Sequence, residues 1–473
     1  MYIAASGAYR DGLYDIAIPQ LESFLTGYPD SNKTGYVRLM LGESYFLLKK
    51  YAKALKHYLY LNGHQAVLKK DLSGKINRRI GECYFWQHDY RKAVSAYSLS
   101  LSQEKKPELK SKLSLRLAES YYLLKEYEKA FQYYRKLEDK GPYREQILSG
   151  LGGSAYMSGH TQESAKRYRK LLAEFPGTRH RETAVYRLGA YFFERKQYSK
   201  SLSWYEKALR EFPGSGGYLT GLLQAGIAAY YLKDDLSAVK YLKEYIRKTS
   251  DSDGLDNYQF IVGMSYYRKK LYQESIAAFQ RLLDRYPGSK YRGEARYNIG
   301  VCLLARKNSG QAITEFKKIL SSDNPGKHKL EIARYLGRLL FDKKNYQGAI
   351  TYYKIVMDGP DREKAAESWY WIAESRVRLK QVDRAITNFR LLCSRYSDQR
   401  LWADSARFRL GEIYYLQKNL LKAERWFHPI KHPRFYKKAQ ARLKVIRRAL
   451  WQQAKKAKAA VKARKAKEKS ISK

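Results

Sequence analysis

The sequence is poor in cysteine and in acidic residues. It contains 3 cysteines in 473 residues, Cys83, Cys302 and Cys393, and no two of them form a Cys-x-x-Cys pair. We therefore exclude a disulfide framework and interpret all three as small buried residues. Acidic residues number 46 against 92 lysines and arginines, which gives a formal net charge of +46. No short tail accounts for so large an excess.

The sequence also lacks enzyme motifs and long apolar runs. We find no GxxxxGK[ST], HExxH or GxSxG motif. We therefore predict a non-enzyme with no catalytic residue, no metal site, no cofactor and no small-molecule substrate. The uncharged window of residues 212–232 holds only about 15 residues for an apolar helix, whereas a membrane span needs roughly 20. We interpret this window as one buried helix.

What the chain has instead is a repeat. A small residue, which we call the anchor, recurs at spacings of 34 to 39 residues, and most spacings are 37. Positions below are counted from the anchor of each repeat. The twelve anchors are Ala5, Gly42, Gly81, Ala118, Gly152, Gly189, Gly226, Gly263, Gly300, Gly337, Ala373 and Gly411. A period maintained over the whole chain predicts one structural unit that is stacked many times.

The residue types within each repeat predict a helical hairpin. Position −1 is usually Leu, Ile or Val, and positions +3 and +4 are mostly aromatic, so these positions form one helical stripe. Position +12 is small and position +16 is mostly aromatic, which places a second stripe on a second helix. Two small residues allow the helices to approach closely, and the large residues fill the volume around them.

This pattern, Leu-Gly-x-x-Tyr, eight residues, Ala, three residues and Phe or Tyr, resembles the tetratricopeptide repeat (TPR). The resemblance implies an all-α, superhelical α-solenoid of about twelve helical hairpins over residues 1–433. A C-terminal capping helix at 434–451 and a basic Ala/Lys-rich tail at 452–473 complete the expected organisation. The sequence departs from the family in three respects. The family's Trp is matched only by Trp369, Ala155 and Ser164 replace Tyr and Ala in the fifth repeat, and the period is near 37 instead of 34.

A narrower element, such as Tyr28-Pro29-Asp30-Ser31, ends several repeats. It is similar to bacterial envelope TPR proteins, namely the outer-membrane barrel-assembly lipoprotein and the periplasmic cell-division coordinator. That resemblance implies a periplasmic or cell-envelope location if a signal upstream of Met1 is missing from this sequence; the alternative is cytoplasmic. Since the first anchor is Ala5, Met1 falls inside the first helix. Either that helix is short or residues upstream are missing from this sequence, and our hypothesis is the second.

The family binds partner segments in a concave groove lined by first helices. We therefore predict a scaffold or adaptor that holds an acidic or apolar segment of a partner protein. By resemblance, position +4 faces the groove, and its ten aromatic residues are the candidate partner-binding site. They are Tyr9, Phe46, Phe85, Tyr122, Tyr156, Phe193, Tyr230, Tyr267, Phe341 and Tyr415. The alternative interpretation is that these rings simply pack between adjacent first helices.

Position +1 should also face the groove. It is Glu near the two ends, at Glu43, Glu82, Glu119, Glu374 and Glu412, and Gly, Ala, Ile, Met and Val in the middle repeats. The sequence therefore predicts acidic ends and an apolar centre.

The alternative function is polyanion binding through the basic solenoid face and the tail. Residues 437–473 contain 15 lysines or arginines and one acid, Glu468. Such a segment can bind nucleic acid or anionic lipid through counterion release, or it can be a solvated helix. The candidate contacts are Lys455, Lys456, Lys458, Lys462, Arg464, Lys465 and Lys467. The tail has no apolar face, so stable membrane insertion through it is not expected.

Overall fold

The computed structural model describes residues 1–64, 72–137, 141–321 and 326–471, and the side chains of residues 465 and 467–471 lie outside that description. The described residues form 25 α-helices and one short 3₁₀ helix, Gly141–Tyr143. All the regular structure in these ranges is helical. The predicted all-α class is therefore confirmed.

The helices follow one another with short connections. In chain order they are α1 Tyr2–Arg10, α2 Tyr14–Gly27, α3 Thr34–Leu47, α4 Tyr51–Gly63, α5 Ser73–Trp86, α6 Tyr90–Gln103, α7 Pro107–Leu123, α8 Tyr127–Arg135, α9 Arg144–Met157, α10 Thr161–Glu174, α11 Arg181–Glu194, α12 Tyr198–Glu211, α13 Tyr218–Tyr231, α14 Asp235–Lys248, α15 Leu255–Arg268, α16 Tyr272–Arg285, α17 Arg292–Ala305, α18 Ser309–Leu320, α19 Lys329–Asp342, α20 Tyr346–Val356, α21 Arg362–Arg378, α22 Val382–Arg395, α23 Arg400–Leu416, α24 Leu420–Phe427 and α25 Pro433–Ile471.

The chain divides into two compact units, residues 1–249 and residues 250–473. Every odd-numbered helix from α1 to α23 carries one anchor, and the next even-numbered helix packs against it. We call these the first and second helices of a repeat. Within each unit, consecutive helices pack in chain order, as expected for a stacked repeat. The twelve predicted hairpins are confirmed, seven in the first unit and five in the second.

The anchors are small because a ring from the second helix lies against the anchor backbone. A Cβ atom added to Gly42 would lie 2.8 Å from a ring carbon of Tyr58, and one added to Gly263 would lie 2.6 Å from a ring carbon of Phe279. Tyr58 and Phe279 are fully buried. Position +16 therefore fills the space that the missing side chain leaves, and any larger anchor overpacks the hairpin.

Position +12 is small for a related reason, because it faces the anchor across the two helices. In three repeats it is serine, and its hydroxyl donates a hydrogen bond to the anchor carbonyl. The distances are 2.7 Å from Ser164 to Gly152, and 2.9 Å from both Ser201 to Gly189 and Ser275 to Gly263. The serine in the fifth repeat is thus accommodated as a buried, satisfied polar group.

The turn between the two helices of each repeat has one residue in the left-handed conformation, at position +7. Gly12 and Gly159 occupy it in two repeats, with φ of 76° and 82°. The other ten repeats place a non-glycine residue there, with φ between 56° and 64°. These are Lys49, His88, Lys125, Lys196, Lys233, Lys270, Lys307, Lys344, Lys380 and Lys418. All ten are exposed, and the left-handed region is unfavourable for a residue with a Cβ.

The last helix, α25, combines the predicted capping helix and the tail in 39 residues. Ala439, Leu443 and Ile446 are buried and pack against Phe427 of the twelfth repeat. From Trp451 to Arg464 every side chain is exposed. The helix therefore has a packed first part and a second part that touches little else.

Two smaller predictions are also confirmed. The three cysteines are free and buried, and burial raises the pKa of Cys83 and of Cys393 to about 12, so these thiols stay protonated at neutral pH. The uncharged window contains α13, whose Leu222 and Ala225 are buried in the stack. Among the described helices, none combines the length and apolar character needed to cross a bilayer.

Candidate partner-binding site on the first helices

The residues at position +4 are all partly buried, in all twelve repeats. Seven of the ten aromatic rings rest on a tyrosine at position +9 of the same repeat, with ring centroids 5.3 to 6.1 Å apart. The pairs are Tyr9–Tyr14, Phe46–Tyr51, Phe85–Tyr90, Tyr122–Tyr127, Phe193–Tyr198, Tyr267–Tyr272 and Phe341–Tyr346. Each of these rings therefore packs on a second helix with one side, while part of it stays accessible.

Near the start of the chain, arginines at position −2 cover the rings of the preceding repeat. The Arg79 guanidinium lies 4.3 Å from the centroid of the Phe46 ring, and it donates to Glu43 at 2.5 and 3.0 Å and to Glu82 at 2.8 Å. Burial disfavours the charged form of Arg79, but these carboxylates outweigh burial and raise its pKa. Arg116 covers Phe85 at 5.2 Å and pairs with Glu119.

The same arrangement recurs at the other end. Arg409 pairs with Glu374, and Arg442 of α25 pairs with Glu412 at 2.8 Å while its guanidinium lies 5.4 Å from the Tyr415 ring. The glutamates at position +1 are therefore neutralised by arginines in both units. The predicted acidic ends are rows of ion pairs, with Glu43 and Glu374 each only 5% exposed.

The middle of residues 1–249 is different. Here position +1 is Gly153, Ala190 and Ile227, so no glutamate side chain occupies the space beside the rings. A cavity of about 480 Å³ opens there, between first helices α9, α11 and α13. Its lining includes Tyr156, Tyr186, Arg187, Ala190, Phe193 and Gln224. Two of the ten predicted aromatic residues, Tyr156 and Phe193, thus line one cavity.

The cavity has an unusual polar lining. The Arg187 guanidinium stacks 3.8 Å from the centroid of the Tyr156 ring, and no carboxylate pairs with it among the residues that the structure describes. The Oε1 atom of Gln224 is buried and accepts no hydrogen bond within the same ranges. Glu182 and Glu194 also border the cavity. The site therefore offers an unpaired cation and an unsatisfied buried amide oxygen beside apolar rings and two glutamates.

Among the described residues that line the cavity, no nucleophile is paired with a general base. Burial raises the pKa of Tyr186 and of Tyr205, both of which line the cavity, so their hydroxyls stay neutral at physiological pH. The Tyr186 hydroxyl hydrogen-bonds to Ser215 at 3.2 Å. Among the described residues, no cluster of His, Cys, Asp and Glu is arranged to hold a metal ion.

Sequence reasoning missed Arg187, Gln224 and Tyr186. A signal for two of them was present at position −2, which is Arg in repeats 3, 4, 6 and 12 and Gln224 in repeat 7. Reading position −2 together with position +1 separates arginines that have a glutamate partner from Arg187, which has none.

The predicted tail contacts lie on the exposed part of α25. The side chains of Lys455, Lys456, Lys458, Lys462 and Arg464 are exposed, and the Lys455 ammonium lies 5.2 Å from the Trp451 ring. Lys465 and Lys467 have side chains outside the described set. The structure thus places the described tail residues on one helix of the second unit.

Comparison with family models gives a direct answer about the repeats. A tetratricopeptide repeat model matches residues 79–145, 150–216, 223–290 and 263–328, which together exceed half of the chain. A second tetratricopeptide repeat model matches residues 367–398. Tetratricopeptide repeats are typically non-catalytic modules for protein–protein interaction, and the matches include no catalytic domain.

Solved structures give a more distant likeness. The C-terminal part of a TPR protein from Cytophaga hutchinsonii is 18% identical, covers 54% of this chain and 98% of its own, and has a TM-score of 0.38. A tetratricopeptide repeat protein from Parabacteroides merdae is 15% identical over 55% of this chain and 98% of its own, with a TM-score of 0.30. YrrB, described as a TPR protein with an unusual peptide-binding site, is 19% identical over 39% of this chain and 89% of its own, with a TM-score of 0.31.

A search of curated proteins finds no match. The hairpins, the anchors packed against rings and the family matches all agree. The chain belongs to the tetratricopeptide repeat family.

Proposed function

We propose that this protein is a scaffold that binds a segment of a partner protein along the first helices of residues 1–249. The anchoring point is the cavity between α9, α11 and α13. One observation carries the proposal: the cavity opens where position +1 is not glutamate and where Arg187 lacks a carboxylate partner among the described residues. In repeats 2 to 4 of the same unit, Arg–Glu pairs occupy the corresponding space.

The chemistry of the cavity defines the segment that fits. Arg187 is held in place by its stacking on Tyr156, and its free N–H groups can donate to an acidic side chain of the partner. Gln224 Oε1 can accept from a backbone N–H of an extended peptide, which would satisfy a buried acceptor. Phe193 and Tyr156 offer apolar contact for a neighbouring residue of the partner. An acidic residue next to an apolar one is therefore the expected motif.

A peptide-display selection tests this proposal. We would select random peptides on the full chain and measure their affinity for Ala190→Trp, which fills the cavity, and for Arg187→Gln, which removes its cation. We expect enriched peptides to contain an acidic and an apolar residue, to lose binding to Ala190→Trp and to bind Arg187→Gln about tenfold more weakly.

The matched control is Arg116→Gln, because Arg116 occupies the same position −2 over a ring but has its own glutamate. This change should leave peptide affinity within about twofold. Peptides that bind wild type, Ala190→Trp and Arg187→Gln equally well would show that the cavity is not the binding site. Thermal melting of each variant would verify that it folds.

A second candidate function rests on the second part of α25, where every side chain from Trp451 to Arg464 is exposed, including those of Lys455, Lys456, Lys458, Lys462 and Arg464. We propose that this segment contacts a polyanion, either nucleic acid or anionic lipid. Binding should fall steeply between ~50 and 200 mM salt and disappear when residues 452–473 are deleted. Peptide binding in the cavity should survive both changes. The bacterial envelope setting is a proposal that rests on the sequence resemblance alone.

A further inference from the structure

The exposed apolar side chains of residues 1–249 gather at the turns between the two helices of each repeat. We call the turn segments of repeats 2 to 7, positions +5 to +11, the turn edge; they are residues 47–53, 86–92, 123–129, 157–163, 194–200 and 231–237. The turn edge holds nearly half of the exposed large apolar residues among the described part of this unit. They are Leu47, Trp86, Leu123, Met157, Tyr231, Leu232 and Leu236, each 41% to 57% exposed.

These side chains lie along one edge of the unit, and ring contacts join two pairs of neighbouring turns. Successive hairpins pack in order within the unit. The turns that join first and second helices therefore follow one another along the same long edge of the stack. Ring contacts link neighbouring turns directly. The Trp86 ring stacks on Tyr51 of the preceding repeat at 6.0 Å, and Tyr231 stacks on Tyr198 of the preceding repeat at 4.6 Å. Exposed apolar residues that adjoin one another in this way mark an interaction surface.

The charged side chains of the turn edge that form no ion pair in the described ranges are mostly lysines and arginines. Lys49, Lys125, Lys196 and Lys233 are exposed at position +7, and none of them forms an ion pair within the described ranges. The acids of the same segments are mostly held locally. Asp89 pairs with Lys92, Glu126 with Lys129, Glu128 with His160 and Glu163 with Arg167, while Asp235 is buried.

Folding does not explain these lysines. Position +7 requires a left-handed backbone, which glycine adopts freely, as Gly159 does in the fifth repeat. The residue lies between the C-terminus of one helix and the N-terminus of the next, so the two helix dipoles act on its charge in opposite directions. A lysine at this position therefore strains the backbone without a clear electrostatic gain within the chain.

We propose that the turn edge docks on an anionic lipid bilayer. Leu47, Trp86, Leu123 and Tyr231 would enter the interfacial region, where Trp and Tyr rings and short apolar tips are favoured. The lysines at position +7 would lie at the level of the lipid phosphates, with their stems along the apolar surface and their ammonium groups in the headgroups. None of these docking residues lines the cavity or belongs to the tail, so the inference goes beyond the proposed function.

Single apolar residues that alternate with unpaired lysines favour a bilayer over a protein partner. Each exposed apolar side chain can insert into a bilayer independently of the others, and anionic headgroups supply negative charge along the whole turn edge. A protein partner would need its own complementary pockets at a matching spacing. We therefore treat a protein partner as the outcome that would overturn the proposal.

Tryptophan quenching on the full chain tests insertion directly. The probe is a set of vesicles of phosphatidylcholine with phosphatidylserine, with bromine on the acyl chains, and vesicles of phosphatidylcholine alone are the uncharged comparison. We expect brominated anionic vesicles to quench the fluorescence of wild type more strongly than that of Trp86→Phe, because Trp86 inserts. Equal quenching of the two proteins would overturn the proposal, and it would assign any vesicle binding to another region such as α25.

Cosedimentation of variants gives a second, independent measurement. The edge variant combines Leu47→Ser, Trp86→Ser, Leu123→Ser and Tyr231→Ser. The control variant combines Tyr28→Ser, Tyr36→Ser, Leu59→Ser and Leu99→Ser, which are exposed apolar residues of the same unit away from the turn edge.

At physiological salt, we expect the edge variant to bind anionic vesicles at least tenfold more weakly than the control variant. Equal binding of the two variants would overturn the proposal. If the edge variant fails to fold, the quenching measurement on wild type still decides, because it needs only the conservative Trp86→Phe change.

Discussion

Residues 1–249 and residues 250–473 are built from the same hairpin but present different turns to solvent. The turn edge of the first unit carries 11 lysines and arginines against 7 acids, together with exposed apolar side chains. The five turns of the second unit carry 12 lysines and arginines against 3 acids. Position +5 there reads Arg268, Ala305, Asp342, Arg378 and Leu416. Leu416 is therefore the one large apolar side chain exposed at that position in the described part of this unit, and Leu271 and Leu421 are exposed at other turn positions.

The buried positions, in contrast, are the same in both units. The anchor is small, position +12 is small and position +16 is large in nearly every repeat, because these three positions fill one another's space. Close packing restricts the residue type at these three positions in both units, whereas it does not restrict the exposed side chains of the turns. Differences between the two units at exposed positions therefore point to binding, and similarities at buried positions point to folding.

The strongest test of this equivalence is to overpack an anchor in each unit. In Gly81→Val and Gly263→Val the first added carbon would lie 2.6 Å from a ring carbon of Tyr97 or Phe279. We expect each change to destabilise its hairpin by about 3 kcal/mol. Hydrogen exchange in α5 and α6, or in α15 and α16, would then accelerate roughly hundredfold.

Gly293→Ala is the matched control, because a Cβ there has no neighbour within 4 Å. It should stabilise α17 by about 0.5 kcal/mol, since alanine loses less backbone entropy than glycine. A tolerated valine at one anchor but not at the other would break the equivalence of the two units.

A smaller difference should appear in acid. Burial, with the nearby charge of Arg38, lowers the pKa of His57 to about 4, and its ring stacks on Tyr45. The unfolded chain binds a proton at this histidine near pH 6.5, whereas the folded chain does not. Stability from neutral His57 is therefore complete above pH 6.5 and declines as the pH falls to about 4, by roughly 2 kcal/mol.

Urea denaturation at pH 7 and pH 4.5 would measure this effect against His57→Gln, which should lose part of the pH dependence. The described histidines of residues 250–473, His328, His428 and His432, are exposed or half-buried. We therefore expect acid to weaken α4 before it weakens the second unit. An identical pH dependence in wild type and His57→Gln would contradict this expectation.

The smallest expected effect on stability comes from the lysines at position +7, which have a left-handed backbone conformation in both units. Lys196→Gly and Lys344→Gly should each raise stability by about 0.5 to 1 kcal/mol, because glycine relieves the unfavourable backbone conformation. Lys343→Gly, one residue earlier and with φ of −80°, should give no such gain. Thermal melting of the three variants makes the comparison, and stabilisation by Lys343→Gly would contradict it.

The sequence allowed most of the fold to be predicted and little of the site. Anchors and rings are visible in sequence because close packing restricts residue type at fixed spacings. The row at position +4 looked uniform, since ten aromatic residues recur there, yet only Tyr156 and Phe193 line the cavity. These two rings differ from the others because no glutamate lies at position +1 beside Arg187. Whether an arginine has a partner depends on residues that are far apart in sequence, so the sequence pattern did not reveal it. The left-handed lysines were missed because a lysine at a turn says nothing about φ.

The long helix α25 has a thermodynamic consequence of its own. From Leu450, which still packs on the twelfth repeat, to Ile471 it extends about 32 Å at 1.5 Å per residue. Over that distance the helix–coil equilibrium of an alanine- and lysine-rich segment sets its length, with almost no contribution from tertiary packing. Its helicity should decline gradually on warming while the stacked hairpins remain intact. The length of the helical part of this segment therefore depends on temperature.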